Sequence, residues 1–401
     1  MFRRRWVLWI AFVCVHVGIA GFGLIHPGAW PFSDVIYAYK PWMSELFRDG
    51  AWQGLSVDGV YPVLAPVPMV LAAVLAPVSG YLLAWLFVSM AANAIGFAVL
   101  LGRGDDVGRF RASWFWLIFL TLLGPVSLGR IDGITVPVAI VGGLLLGARP
   151  ALAGAILAVG AWIKIWPVAI AAAAFVALRG RWRIAAGAAG VTLGILIVAA
   201  VSGSLTHTLS FVAGQTGRGL QFEAPVALPL VWAAAVGTPG VEVAFDDGIS
   251  TYQIEGAAAD LVSAWMTPVL ILALAFVLVL GARAKRVHAL WSDLFPVLAL
   301  ALVLVLIVFN KVGSPQFTLW LIAPIALGLA LSARGFRRFA VFGWVAAFLT
   351  LIVYPLVYDS LLALDTVGLV AQTLRVLWLC ACLVVAGVVL WRMGTRTVVT
   401  V

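Results

Sequence analysis

A small set of residues in this chain has the types and spacing to do chemistry. Asp34 and Tyr37 share the stretch Ser33-Asp34-Val35-Ile36-Tyr37, with Trp42 close behind. Arg130 and Asp132 fall in Gly129-Arg130-Ile131-Asp132-Gly133, and Lys164 lies in Ala161-Trp162-Ile163-Lys164-Ile165-Trp166-Pro167. Arg218, Gln221 and Glu223 share Arg218-Gly219-Leu220-Gln221-Phe222-Glu223, and Asn310, Lys311 and Gln316 share Asn310-Lys311-Val312-Gly313-Ser314-Pro315-Gln316. Cations beside two or three carboxylates at a lipid boundary suit an anionic head group, because Arg and Lys neutralise phosphate charge where water is largely excluded. A phosphate leaving group needs no general acid. One carboxylate base then suffices to take the proton from an attacking sugar hydroxyl while cations stabilise the departing phosphate. Hydrolysis of an ordinary glycosidic bond, with its poorer leaving group, divides the work between two carboxylates.

The elements that must position these groups belong to a membrane protein. Of 401 residues only 10% are charged and 64% are apolar, a balance that cannot coat a soluble globule of this size. Apolar stretches of spanning length recur from Trp6 to Trp391, broken by short Gly, Pro or Arg segments. In a bilayer such stretches must be helices, so the expected fold is all-α, one polytopic bundle forming a single membrane domain over 1–401. The net charge of +9 is spread as short clusters at the ends of apolar runs, which fits topology better than a nucleic-acid partner. Cys14, Cys380 and Cys382 all sit in apolar runs, and the last two point about 200° apart on a helix, so no disulfide or metal framework is implied. Met1 to Ile25 has the basic start of a signal peptide, but its apolar part is long enough to span and reads as a retained first helix.

Basic clusters at Arg3-Arg4-Arg5, Arg103 to Arg111, Arg149, Arg179 to Arg183, Arg283 to Arg286, Arg334 to Arg338 and Arg392 to Arg396 set the orientation. The positive-inside tendency places all of them in the cytoplasm, so an even number of crossings separates each neighbouring pair. Between Arg149 and Arg179 this predicts a hairpin of short helices turning near 161–167. Between Arg5 and Arg103 it makes one of three apolar runs re-entrant or interfacial, and Tyr61 to Val78, with Pro62, Pro66, Pro68 and Pro77, is the choice. The count comes to about 12 transmembrane helices in a multi-pass plasma-membrane protein with both termini cytoplasmic. The outer loops 26–59 and 203–261 then form the face on which the candidate residues gather. Ionisable groups at membrane depth are functional candidates by default. No internal repeat stands out, so an inverted-repeat transporter gains no direct support.

At these same segments, from residue 33 to 317 and including Tyr61-Pro62 and Phe317, the chain resembles the glycosyltransferase family 87 mannosyltransferases of the GT-C superfamily, in an order like that of actinobacterial members. Beyond Trp320 the likeness is one of hydropathy alone. The resemblance implies a GT-C-like bundle with outer-face juxtamembrane loops and a polyprenyl-phosphate-mannose donor. It implies an inverting transfer without a metal or other cofactor, and a lipid-linked glycan acceptor such as a phosphatidylinositol mannoside or a lipomannan precursor. It makes Asp34, the acid of the first outer loop, the base. Arg130, Lys164, Arg218 and Lys311 are expected to hold the donor phosphate, and Tyr37, Trp42, Asp132, Gln221, Glu223, Asn310 and Gln316 to contact sugar or acceptor. His26 and His207 fit no motif. The expected partners are the lipid donor, the glycan acceptor and membrane lipids, with no nucleic acid.

Each residue also has a plainer reading. Asp34 is a common type of helix cap. Arg130 and Asp132 are placed to pair with each other at a helix start, and Lys164 to snorkel to the interface. Lys311 sits in a Gly- and Pro-containing loop of the sort found wherever two helices meet, and Arg218 to Glu223 would by default be a solvated loop. Asp246, Asp247 and Glu255 read as a solvated acidic face rather than a metal site. Most of the 18 tryptophans read as interface anchors, with Trp42 and Trp162 as candidates for stacking on a sugar. Rival functions are transfer of arabinose or another sugar from a polyprenyl-phosphate donor, a transporter or flippase for a lipid-linked sugar, and an accessory subunit.

Overall fold

Amides in lipid must find their hydrogen bonds within their own segment, and the computed structural model of the chain is accordingly helical. It describes residues 4–26, 31–248, 251–287 and 289–395. Arg3 and Arg396 of the terminal clusters, and residues 27–30 and 249–250 of the two outer loops, lie outside the described residues. The α-helices are α1 (Arg5–Ile25), α2 (Lys40–Asp49), α3 (Pro66–Ser79), α4 (Tyr81–Leu101), α5 (Val107–Leu123), α6 (Asp132–Leu145), α7 (Pro150–Ile163), α8 (Val168–Ala177) and α9 (Arg181–Val201). There follow α10 (Leu205–Thr216), α11 (Leu228–Ala235), α12 (Ala257–Arg286), α13 (Trp291–Val308), α14 (Ile322–Ala330), α15 (Phe336–Leu351), α16 (Tyr358–Leu362) and α17 (Thr366–Met393).

Among the described residues eight helices are long and apolar enough to cross a membrane: α1, α4, α5, α9, α12, α13, α15 and α17, counting the short extensions of α5 and α15. This marks a membrane protein. Eight is fewer than the expected 12, and six further apolar helices are shorter, among them four beside the candidate residues: α6 and α7 have 14 residues each, α8 has 10 and α14 has 9 after its 3-10 turn. At 1.5 Å per residue, 14 residues reach about 21 Å against a hydrocarbon core of about 30 Å. Their shortness has a common cause. α6 begins at Asp132, α7 stops at Lys164, α8 starts after Trp166-Pro167, and α14 continues a 3-10 turn opened by Pro315, so all four break at the candidate residues. The hairpin turning at 161–167 is thus present as α7 and α8.

The proline-rich run after Tyr61 becomes α3, a helix of 14 residues. Pro66 and Pro68 sit in its first turn, where no intrahelical N–H is required, and Pro77 lies in its last turn. The break at Gly80 then turns the chain into α4.

The helix ends that carry the basic clusters gather at one end of the bundle. Arg5 donates to the Gly104 carbonyl at 2.9 Å, Lys285 donates to the carbonyl of Ala177, and Arg334 bonds Asp293 at 2.8 Å through Nε. Arg283 stacks over Trp391 at 4.2 Å. At the N-terminus of α5, Asp106 accepts from the backbone N–H of Gly108 at 2.7 Å and of Arg109 at 3.2 Å, a true side-chain cap. α13 runs through the centre, with 83% of its apolar window buried, whereas α9 and α12 bury only 11% and present their sides to the bilayer.

One departure from an all-helical chain is a small antiparallel sheet in the second large loop. Strands β1 (Leu220–Gln221), β2 (Glu242–Asp246) and β3 (Thr251–Glu255) are ordered β1-β3-β2, with Gln221 opposite Gln253 and Phe245 opposite Tyr252.

Candidate active site

The stunted helices leave a polar hollow at the end of the bundle away from the basic clusters, and it divides into two adjoining cavities. The first, about 240 Å³, is walled by apolar groups such as Phe211, Met266, Leu270 and Phe309, and holds Lys164, Arg218 and Lys311 with Asn310 and Gln316. No carboxylate lines it. The second, about 300 Å³, holds Asp34, Glu223, Arg130 and Arg218 among Tyr37, Trp42, Tyr252, Tyr354 and Tyr358. Val60, Tyr61, Arg218, Ser314 and Gln316 line both and form the junction.

Asp34 does not cap a helix. It precedes a short π-helical turn, Val35–Tyr39, without a side-chain cap bond, and its carboxylate instead pairs with the guanidinium of Arg130. Arg130 comes from the other side of the hollow, just ahead of α6, and also donates to Tyr354 Oη at 3.2 Å and Ser33 Oγ at 3.3 Å. The chain can bring it so close because residue 129 is glycine: a Cβ there would collide with the Pro31 carbonyl and the Phe32 ring. Tyr39 Oη accepts the Ile131 N–H at 3.1 Å, fixing the same approach.

Asp132, expected among the sugar- and acceptor-binding groups, lines neither cavity. It opens α6, is 1% exposed, accepts from Trp320 Nε1 at 2.7 Å and lies 3.9 Å from Lys164 Nζ. Its place is behind Lys164, not in front of a substrate, and it does not pair with Arg130. Lys164 sits at the C-cap of α7 with its ammonium 4.0 Å from the centre of the Tyr61 ring. Burial pulls its pKa below the ordinary lysine value, and the Asp132 carboxylate opposes that shift. Beneath these residues Trp166, Trp320 and Phe317 stack, with centroids 5.8 Å and 4.2 Å apart along the column.

The loop after α13 is clamped to the loop before β1. Gln221 N–H bonds the Lys311 carbonyl at 2.9 Å, the Gly313 N–H donates to Gln221 Oε1 at 3.2 Å, and Gln221 Nε2 donates to Glu223 Oε2 at 3.0 Å. The two loops touch backbone to backbone at Gly313, where a Cβ would overlap Ala224. Lys311 Nζ donates to Ser263 Oγ at 3.3 Å, and Ser263 in turn bonds the Arg218 carbonyl at 3.0 Å. Burial lowers the pKa of both Lys311 and Arg218.

Glu223 is the most elaborately held acid. Tyr358 donates to one carboxylate oxygen, Gln221 to the other, and Gln372 to its backbone carbonyl at 3.0 Å. Behind Gln372 lies Arg375, 1% exposed, which donates to Gln372 Oε1 at 3.2 Å and to Thr350 Oγ1 at 3.3 Å. Burial raises the Glu223 pKa above the ordinary glutamate value, partly offset by the Tyr358 and Gln221 hydrogen bonds. Sequence reasoning named Glu223 but missed Tyr354, Tyr358, Gln372 and Arg375. For Arg375 and Gln372 a signal existed, since a guanidinium and an amide in an otherwise apolar run are functional candidates.

Of the expected residues, the second cavity therefore collects Asp34, Tyr37, Trp42, Arg130, Gln221 and Glu223, the first collects Lys164, Asn310 and Lys311, and Arg218 and Gln316 belong to both. His207 lies apart, bonded to Asp58 at 2.7 Å. Glu242 and Glu255 of the small sheet are exposed, and among the described residues no cluster of three or more metal-binding side chains occurs. The fold and the site define a multi-helix membrane protein with a paired cation and carboxylate hollow sunk into one end. Compared with known protein families and with curated proteins, the chain matches no family model and no curated sequence.

Proposed function

We propose that this protein is a membrane glycosyltransferase that moves mannose from polyprenyl-phosphate-mannose to a lipid-linked glycan on the extracytoplasmic face, with inversion. The observation that carries the reading is the division of the hollow. One chamber has three cations, apolar walls and no carboxylate, while the other has Asp34 and Glu223 among aromatic rings. A lipid phosphate suits the first, since its charge meets Lys164, Arg218 and Lys311 and its tail reaches the bilayer past α12, whose side is exposed. A sugar suits the second, where aromatic faces and hydroxyl groups match its two surfaces.

With the anomeric carbon at the junction by Tyr61 and Arg218, the phosphate lies on one side and Asp34 on the other. The acceptor hydroxyl gives its proton to Asp34, its oxygen bonds the anomeric carbon, and the C–O bond to phosphate breaks with the electron pair leaving on phosphate. Arg130 holds the Asp34 carboxylate in position for this task, and the chamber cations stabilise the leaving charge. We further propose twelve crossings, the eight long helices plus the stunted α6, α7, α8 and α14, with the basic helix ends cytoplasmic. Mannose as the sugar, and a phosphatidylinositol mannoside or lipomannan precursor as the acceptor, rest on the resemblance at residues 33–317.

The test is transfer in vitro by purified protein given defined radiolabelled lipid donors and a phosphatidylinositol mannoside, with linkage analysis of the product. Mannosyl transfer with inverted configuration supports the proposal. Transfer from decaprenyl-phosphate-arabinose alone would reassign the sugar, and movement of the donor across vesicles without transfer would make the protein a flippase.

A further inference from the structure

A groove at the basic end of the bundle, far from the hollow, has the chemistry of a lipid site. It lies between α5 and α15, encloses about 460 Å³, and is lined by Arg111, Trp114, Phe115, Arg337, Val341 and Trp344, with no carboxylate among its walls. Both arginines are exposed and sit near the N-terminal ends of their helices. On each helix an arginine at the basic end is followed inward by an apolar track that carries an indole. On α5 it is Arg111, Trp114 and Phe115, then Ile118, which is 37% exposed. On α15 it is Arg337, Val341, Trp344, then Phe348, which is 48% exposed. The spacing of three, four and seven residues keeps each series on one helix face. The Trp344 indole donates to the Phe115 carbonyl at 3.2 Å, so the wall is rigid where the two helices meet.

This order matches the depth profile of a phospholipid: cationic groups at phosphate level, indoles at the glycerol and carbonyl level, apolar side chains along the acyl chain. The charge decides which phospholipid. Two guanidiniums with no acid in the groove complement a head group of net negative charge, whereas a zwitterionic one brings its own cation into a cationic slot. We infer that an anionic phospholipid of the leaflet at the basic end binds here, its phosphate between Arg111 and Arg337 and one acyl chain along Val341, Trp344 and Phe348.

The test uses the full-length protein in nanodiscs of mixed phosphatidylcholine and phosphatidylglycerol, released for native mass spectrometry. Wild type should retain phosphatidylglycerol enriched about tenfold over its share of the bilayer. The double variant Arg111→Gln/Arg337→Gln should fall to the bulk ratio, while Arg111→Lys/Arg337→Lys should keep most of the enrichment. A charge-matched control, Arg183→Gln/Arg286→Gln, alters two exposed arginines of other helices and should behave as wild type. Equal loss in the control would reduce the effect to general attraction and overturn the site. Retention by the glutamine variant, or a dimer in wild type that the variant abolishes, would overturn it as well.

Discussion

Asp34 and Arg130 face each other across the second cavity and join as an ion pair, although 96 positions separate them in the chain. Their meeting fixes the proposed base within the second cavity, across the junction from Lys164 and Lys311. Asp34→Asn keeps the shape and removes the proton acceptor, so transfer should fall about 100- to 10 000-fold, the usual worth of general base catalysis. The side chain of Asp34 is 30% exposed and Arg130 keeps its bonds to Tyr354 and Ser33, so the loss of this charge should lower the unfolding temperature in detergent less than the loss of a fully buried acid. A variant with full transfer activity would place the base elsewhere.

Asp132 and Lys164 make the opposite case. Asp132 is 1% exposed and the Lys164 side chain 12%, so removing the acid leaves an uncompensated ammonium at a poorly hydrated wall. Asp132→Ala should therefore destabilise by about 3 kcal/mol or more, read as a lower unfolding temperature, and should weaken transfer through the misplaced ammonium. Stability equal to that of Asp34→Asn would show that Lys164 does not depend on this acid.

The pH profile should report Lys164. Burial lowers its pKa, so its charge disappears at lower pH than that of a free lysine, and kcat/KM should decline on the alkaline side before pH 10.5. Lys164→Arg, whose guanidinium stays charged, should move that decline upward even if overall activity drops. An unchanged alkaline limb would remove Lys164 from phosphate binding.

Glu223 should shape stability rather than rate alone. Its folded pKa is raised above 4.5, so the folded state holds a proton that the unfolded state has lost between those two values. Stability should fall as pH rises from 4.5 through the folded pKa and level off beyond it. Glu223→Gln should flatten that slope in unfolding experiments across the same range.

Gly313→Ala forces a methyl group into Ala224 and should separate the Lys311 loop from the Gln221 loop. Overpacking of this kind costs about 1–3 kcal/mol, and transfer should drop with it. Ser314→Ala, which removes a hydroxyl that accepts a 3.3 Å bond from Gln221, should be far milder.

Much of the architecture is legible in the sequence because lipid leaves few choices. Arginine clusters mark helix ends, and the turn at Lys164-Ile165-Trp166-Pro167 follows from a run too long for one crossing. The pairing within the site is not legible, since it depends on which faces meet in three dimensions: Arg130 chooses Asp34 over Asp132 two residues away. Tyr354 and Tyr358 carry no motif, and their place emerges only when α15 to α17 wrap the hollow, whereas Arg375 stands out as a guanidinium in an apolar run. The small sheet did carry a signal. Asp247-Gly248 stands between Val243 and Phe245 on one side and Tyr252 and Ile254 on the other, a hairpin pattern that the surrounding hydropathy obscures.

Helices that reach only about half to two-thirds of the bilayer's depth thin the insulating layer beneath the hollow, and a thin insulator invites leakage of protons and ions. The stacked Trp166, Trp320 and Phe317 side chains occupy that spot, each nearly sealed from solvent. On the proposed topology they close the floor of the hollow like a gasket, with water reaching Asp34 and Lys164 from one side only.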